Sequence, residues 1–275
     1  MDIRVFKTFL EVAKVKHFGK ASENLYITQA AVSARIKQLE DYYATKLFIR
    51  EKNNIRLTSA GERLYQYANA IVEQLTHSKL NLTLAETNQV LINIAATPNV
   101  WDAYLAGSIS AIVSQASEVT LGAEISSRES IHRRLIDKTL DIGVLSDPIK
   151  GDELINEKIG TFELVLAATD LDCLNKQDKF NYVLVDWGMA FLKEHNALHK
   201  FTPMMRTTTA KIALDVILEN GGAAYLPVEL VDPYVKEGQL FLLHSNLNIQ
   251  RSVYLTYHKS NAQHEKIKHL ICKLD

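Results

Sequence analysis

Apolar residues recur at helical spacing through the amino-terminal part of the chain and change to strand spacing after Asn88. Ile3, Phe6, Phe9, Leu10 and Ala13 make the stripe of a first helix that ends near Lys16, and Phe18, Ala21 and Leu25 that of a shorter second one. After a short turn, Thr28 stands where an N-cap belongs, and Val32, Ile36 and Leu39 continue at i, i+4 and i+7. Three such stripes close around one small core. The opposite face of the third helix carries Ala30, Ser33, Ala34 and Lys37, with Gln29 at its start and Arg35 on its flank. An ordinary amphipathic surface helix has the same pattern, so the neighbouring segments must decide.

Those segments favour a winged helix-turn-helix. Leu47-Phe-Ile-Arg50 and Ile55-Arg-Leu57 are strand-like and flank the turn-prone Glu51-Lys-Asn-Asn54, which predicts a hairpin beside the third helix. Arg50, Lys52 and Arg56 place three cations on it, suited to phosphates or to a narrow minor groove. Small and polar side chains on the third helix allow close approach to base edges. Thr58-Ser-Ala-Gly-Glu62 then opens a long helix, near the spacing of a capping box without matching it. Along it Leu64, Ala68, Ile71, Leu75, Ser78, Leu82 and Ala85 alternate in steps of four and three, a heptad seam that predicts pairing with the same helix of a second copy.

Beyond residue 88 strands and helices alternate. Strands are predicted at Val90–Ala96, Val119–Ile125, Leu140–Leu145, Phe162–Ala168, Tyr182–Val185, Ala223–Leu226 and Ser252–Tyr257. Helices are predicted at Trp101–Ser114, Ser127–Ile136, Phe191–Leu198, Ala210–Glu219 and Ala262–Leu274. The order implies a mostly parallel sheet in two α/β units, with the last strand crossing back to the first unit.

Composition sharpens the division. The 275 residues are 47% hydrophobic, enough for a sizeable core, and the net charge of −1 hides an asymmetry. Residues 1–57 hold 11 Lys and Arg against 6 Asp and Glu, leaving 20 against 26 for the remainder. A basic head suits a polyanion, and an acidic body does not. No apolar run is long enough to span a bilayer, and Met1-Asp-Ile-Arg-Val-Phe-Lys7 is unlike a signal peptide, so a cytoplasmic protein without a membrane partner is expected. Cys173 and Cys272, far apart, suggest neither a disulfide framework nor a zinc site. His195 and His199 have metal-site spacing, but with no Glu after the first and no third ligand they are expected to be a solvated helical pair. There is no nucleophile elbow, no Walker-type phosphate loop and no evident acid/base pair of carboxylates, so no enzymatic activity, cofactor or metal is expected.

Residues 1–88 closely resemble the amino-terminal part of LysR-type transcriptional regulators. The resemblance is carried by Phe9-Leu-Glu-Val-Ala13, His17-Phe18, Ala21-Ser-Glu-Asn-Leu25, Thr28-Gln29, Ala31-Val-Ser33, Ile36, Leu39-Glu40, Leu47-Phe48, Arg50 and Ile55-Arg-Leu-Thr-Ser-Ala-Gly61. The string His17–Thr28 with Arg50 and Asn53–Thr58 looks most like the HdfR-like subgroup of that family. The family often has Pro where this chain has Ala30 and a cation where it has Ala34. The later part is similar to the family's effector domain, itself similar to two-lobed periplasmic solute-binding proteins, through Thr97-Pro98, Asp141-Ile-Gly-Val144 and Gly221-Gly-Ala-Ala-Tyr-Leu-Pro227.

The resemblance implies an α/β multidomain chain. Its parts would be a DNA-binding domain over residues 1–58, a linker and dimerisation helix over 59–89, and an effector domain over 90–275, with one lobe at 90–160 plus 255–275 and the other at 161–254. Thr28, Gln29, Ala30, Ser33, Ala34, Arg35, Lys37, Arg50, Lys52 and Arg56 would then face double-stranded DNA. Ligands of open α/β sheets bind beyond the carboxyl ends of strands. The effector candidates there are Thr97, Asn99, Val100, Ser126, Ser127, Arg128, Leu145, Ser146, Thr207, Thr208 and Pro227. Hydroxyls and helix starts, with Arg128, suit a small anion. A homodimer or homotetramer and contact with RNA polymerase are further expectations. The alternative is a ligand-independent architectural or repressor protein whose body only oligomerises. A solute-binding or enzymatic α/β protein with an incidental helical head is the third.

Overall fold

The structure is a computed structural model that describes residues 2–51, 54–85, 89–115, 119–173, 180–198, 201–243 and 249–261. The chain divides into two compact units, residues 1–86 and 87–275. In the first, α1 (Ile3–Val15), α2 (Phe18–Asn24) and α3 (Gln29–Tyr42) begin at side-chain caps: Asp2 accepts from the Arg4 N–H, His17 from Lys20 and Thr28 from Ala31. Their stripes meet as expected, with Phe9, Val12, Ala21, Val32, Ile36 and Leu39 fully buried. Phe48 closes the core from below, its ring 5.4 Å from Phe9 and 6.1 Å from Phe18.

Phe48 lies on β1 (Phe48–Glu51), which pairs antiparallel with β2 (Asn54–Leu57) to make the wing. The helix α4 (Ser59–Ala85) starts against this hairpin. Thr58 donates its hydroxyl to the Lys46 carbonyl and accepts the Gly61 N–H. A Cβ at Gly61 would stand 2.3 Å from the Leu47 carbonyl oxygen, so only glycine permits this approach. The heptad seam divides accordingly: Leu64 and Ala68 pack into the head, whereas Ile71, Leu75 and Leu82 are exposed.

The second unit is built on one nine-stranded sheet. After β3 (Val90–Ala96), a short helical turn α5 (Pro98–Val100) runs into a π-helix (Trp101–Leu105) and then α6 (Ala106–Gln115), where the sequence predicted one α-helix. Then follow β4 (Val119–Ile125), α7 (Arg128–Ile136), β5 (Ile142–Leu145) and β6 (Leu154–Ala168). The second half holds β7 (Tyr182–Val185), α8 (Met189–Leu198), β8 (Pro203–Thr207), α9 (Ala210–Asn220), β9 (Ala223–Pro227), α10 (Val228–Lys236) and β10 (Phe241–Leu243). The chain returns through β11 (Ile249–His258). The predicted helix at 262–274 lies outside the described residues.

The sheet is not mostly parallel. Its order is β4-β3-β5-β11-β6-β9-β7-β8, with β10 on β6. The strands β4, β3 and β5 are parallel on one flank, and β9, β7 and β8 on the other. Between the flanks β11 runs antiparallel to both β5 and β6. The reason is the return strand: a chain that comes back from the second half to the first enters the sheet in the opposite sense. The register of β6 on β11 shifts where Val253 and Tyr254 face Gly160 and Lys158, which leaves Ile159 as an extra residue. The Tyr104 hydroxyl, from the π-helix, donates to the Ile159 carbonyl at 3.0 Å.

Candidate functional sites, a DNA-facing head and a strand-end cleft

On the head, Thr28, Gln29, Ala30, Ala34 and Lys37 are exposed and Ser33 is half-buried, so α3 presents a low, polar face. Between this face and the wing runs a groove of about 500 Å³ lined by Ser33, Lys37, Glu40, Lys46, Phe48 and Arg50. The Arg50 guanidinium lies 4.4 Å over the Phe18 ring, which fixes its direction. Arg56 is exposed on β2, and Lys52 lies outside the described residues.

Two charges behave differently from the sequence-based expectation. Arg35 points back into the head, donating from Nη1 to the buried Thr8 hydroxyl of α1 at 3.2 Å. Lys46 joins the groove, with its ammonium 2.7 Å from Glu40. Glu40 is 5% exposed and also accepts the Leu47 N–H at 3.0 Å. Burial pushes its carboxyl up, but Lys46 and the N–H groups of Leu47 and Phe48 outweigh burial and hold it below the ordinary glutamate range. Lys46 was absent from the candidates because its only sequence signal is its place directly before the first wing strand.

In the second unit, Thr97, Ser126, Ser146, Asp186 and Thr208 directly follow β3, β4, β5, β7 and β8, and all five line one cleft of about 470 Å³. Pro98, Asn99, Ile125, Ser127, Arg128, Glu129, Leu145, Asp147 and Gly188 complete its wall. The parallel flanks set the strand ends side by side, and each loop enters the space between them. Of the sequence candidates, Thr97, Asn99, Ser126, Ser127, Arg128, Leu145, Ser146 and Thr208 are brought together there. Val100 is fully buried beneath the loop, Thr207 ends β8 with its hydroxyl against that of Thr209, and Pro227 ends the buried strand β9, paired with Leu164.

The wall is held by its own polar groups. Arg128 donates from its two Nη atoms to the carbonyls of Asp147 and Pro148, at 2.8 and 2.7 Å. The Asn99 side-chain oxygen accepts the Thr97 hydroxyl and the Val100 N–H, while its amide nitrogen donates to the Asp186 carbonyl. Ser127 accepts the Ser130 N–H, and Glu129, bonded by its own N–H and by Ser127, is held below the ordinary glutamate range. Asp147 accepts from Arg251 at 3.0 Å.

Residues 3–62 match the family described as bacterial regulatory helix-turn-helix protein, lysR family, and residues 85–274 the LysR substrate binding domain. The transcriptional regulator HdfR of Yersinia pestis (strain Pestoides F) is 34% identical over 98% of this chain and 95% of its own, as is HdfR of Yersinia pseudotuberculosis serotype O:1b (strain IP 31758). The chain belongs to the LysR family of transcriptional regulators. Its fold is that of full-length CbnR complexed with its target DNA, at a TM-score of 0.79 and 15% identity with all of both chains covered. It is also that of Vibrio fischeri DarR in complex with DNA, at 0.60 and 20%, covering 100% of this chain and 99% of the other.

One expectation about this LysR-type regulator is corrected by the structure. His195 is not a solvated helical residue: it is 2% exposed, stacked on Tyr182 and within 2.8 Å of the Tyr182 hydroxyl. Burial lowers its pKa. His199 and Cys272 lie outside the described residues, and Cys173 is buried. No group of three or more possible metal ligands occurs among the described residues, and no described helix is long and apolar enough to cross a membrane.

Proposed function

We propose that the regulator reads operator DNA with the α3 face, using Gln29, Ser33 and Lys37 near base edges and Thr28, Ala30 and Ala34 for close approach. Arg50, Arg56 and Lys46 neutralise flanking phosphates, with Lys52 at the wing tip, and Arg35 braces α3 from behind. The observation that carries this reading is the groove of Ser33, Lys37, Lys46 and Arg50 beside a helix face that presents nothing large and apolar. Residues 1–58 form the reading head, 59–89 pair subunits through the exposed seam of α4, and 90–275 sense a small effector in the strand-end cleft. Loading of that cleft alters how paired heads are presented to an interrupted palindrome and to RNA polymerase, in the cytoplasm.

The test is a mobility-shift titration with genomic fragments selected by the purified protein. Gln29→Ala and Ser33→Ala are expected to relax discrimination between sequences, and Lys37→Ala to weaken specific binding. Unchanged specific binding in all three would overturn the assignment of this face. A thermal-shift screen over a metabolite panel tests the sensor role against a body that only oligomerises, since a ligand bound to the folded state raises its melting temperature.

A further inference from the structure

The expected anion for the strand-end cleft meets an obstacle in its geometry. An anion site needs donors that are still available: a guanidinium edge or N–H groups at a helix start. Arg128 is the one cation in the cleft wall, and a bond from each of its Nη atoms ties the guanidinium to the Asp147 and Pro148 carbonyls, so it serves first to hold this loop. At the start of α7, Ser127 takes the Ser130 N–H, and the Glu129 carboxylate takes its own N–H and the Ser127 hydroxyl. At the first loop, Asn99 takes the Val100 N–H. At the start of α9, the Lys211 N–H is taken by Asp102. The helix starts around the cleft thus carry acceptors from this chain.

What the wall offers instead is acceptors. Glu129, Asp147 and Asp186 line it against Arg128 alone, and counting Arg251, which holds Asp147 at 3.0 Å, still leaves an excess of negative charge. Asp186 is exposed at the end of β7, and among the described residues its carboxylate accepts only the Gly188 N–H. Glu129 is exposed on the facing half. An entering anion would meet an excess of like charge, whereas an ammonium group finds carboxylates on both halves.

We propose that the effector of this regulator carries a primary amine, held by Asp186 and Glu129 across the cleft with Asp147 kept in place by Arg251, and is therefore a cation or a zwitterion instead of a simple anion. Ser126, Ser146 and Thr208 supply hydroxyls to the remainder of the molecule, and Ile125 and Leu145 a short apolar wall. The inference rests on the sensor reading given above and deepens it.

The experiment uses the full chain and three probes that share one carbon skeleton: cadaverine, 5-aminovalerate and glutarate, each at millimolar concentration in a thermal-shift titration. Cadaverine or 5-aminovalerate is expected to raise the melting temperature and glutarate to leave it unchanged. Asp186→Asn, at an exposed position whose loss spares the fold, is expected to weaken amine binding by at least about tenfold, with Glu129→Gln as a second variant on the opposite half. A rise with glutarate as large as that with the amines overturns the amine class while leaving a sensor in place. An amine-induced rise unchanged in both variants overturns the site. No rise with either amine also overturns the class, and the metabolite panel then decides the sensor role separately.

Discussion

Glu40, buried on α3, accepts from the Lys46 ammonium at 2.7 Å and from the Leu47 N–H at 3.0 Å, and so fastens the start of the wing to the helix that it flanks. The carboxylate is held below its ordinary range, so folding favours its ionised form. Its contribution is present above the ordinary glutamate pKa and is lost as pH falls through the lower, folded value. Glu40→Gln keeps the shape and removes the charge. The variant is expected to destabilise the head by about 1–3 kcal/mol, read as a lower denaturant midpoint, with weaker binding to all DNA sequences because the wing loses its fixed position. Specific binding at parental strength would show that the wing is placed by other contacts.

Arg35 separates support from reading. Its guanidinium meets the Thr8 hydroxyl inside the head. Arg35→Ala is expected to cost about 1 kcal/mol of head stability and to weaken cognate and non-cognate binding by the same factor. A loss confined to the cognate sequence would put Arg35 on the groove side. Arg50→Ala, by contrast, is expected to weaken binding to all sequences and to lower the slope of log affinity against log salt by about one.

Acid stability should report His195. Because burial lowers its pKa, the unfolded imidazole takes up a proton near 6.5 while the folded one stays neutral. Protonation therefore favours unfolding, and stability declines as pH falls below that value, at most by about 1.4 kcal/mol per pH unit for this group. Melting curves at stepped pH should show a decline that His195→Phe flattens, at a cost of about 1 kcal/mol for the lost Tyr182 hydrogen bond. An unaltered slope in the variant would assign the decline to other groups.

Gly160 tests the junction of the two halves. A Cβ there would stand 2.5 Å from the Tyr104 hydroxyl and 2.7 Å from its ring. Gly160→Ala is expected to destabilise the second unit by about 1–3 kcal/mol. In a Tyr104→Ala background the same change should cost less, with a coupling of about 1 kcal/mol in a double-mutant cycle. Additive effects would mean that the ring is not the obstacle.

The head was legible because its signals are local: caps, stripes and the hairpin sit within a few residues of the partners they engage. Strands β3 and β7 were legible for a second reason, their apolar runs, and β4 for the alternation of Val119, Leu121, Ala123 and Ile125 with Thr120, Gly122 and Glu124. Strand β8 was missed because Pro203–Thr207 alternates between half-buried and exposed positions, and α10 because Pro233 lies inside it. The first part of β6, Leu154–Gly160, carries polar residues because it is only partly covered. At the cleft, strand ends gave the position, but the state of each charge depends on distant partners, as with Asp147 and Arg251, 104 residues apart. Sequence spacing could place Arg128 at the cleft; it could not reveal that two carbonyls tie its guanidinium to the loop.

Every residue of β11 is paired with β6, and that ladder joins the two flanks of the sheet. Hydrogen-bonded strands resist stretching and sliding far more than they resist winding. Twisting is thus the deformation this two-stranded axle constrains least, and at its one register shift the Tyr104 hydroxyl donates to the Ile159 carbonyl that the ladder leaves over.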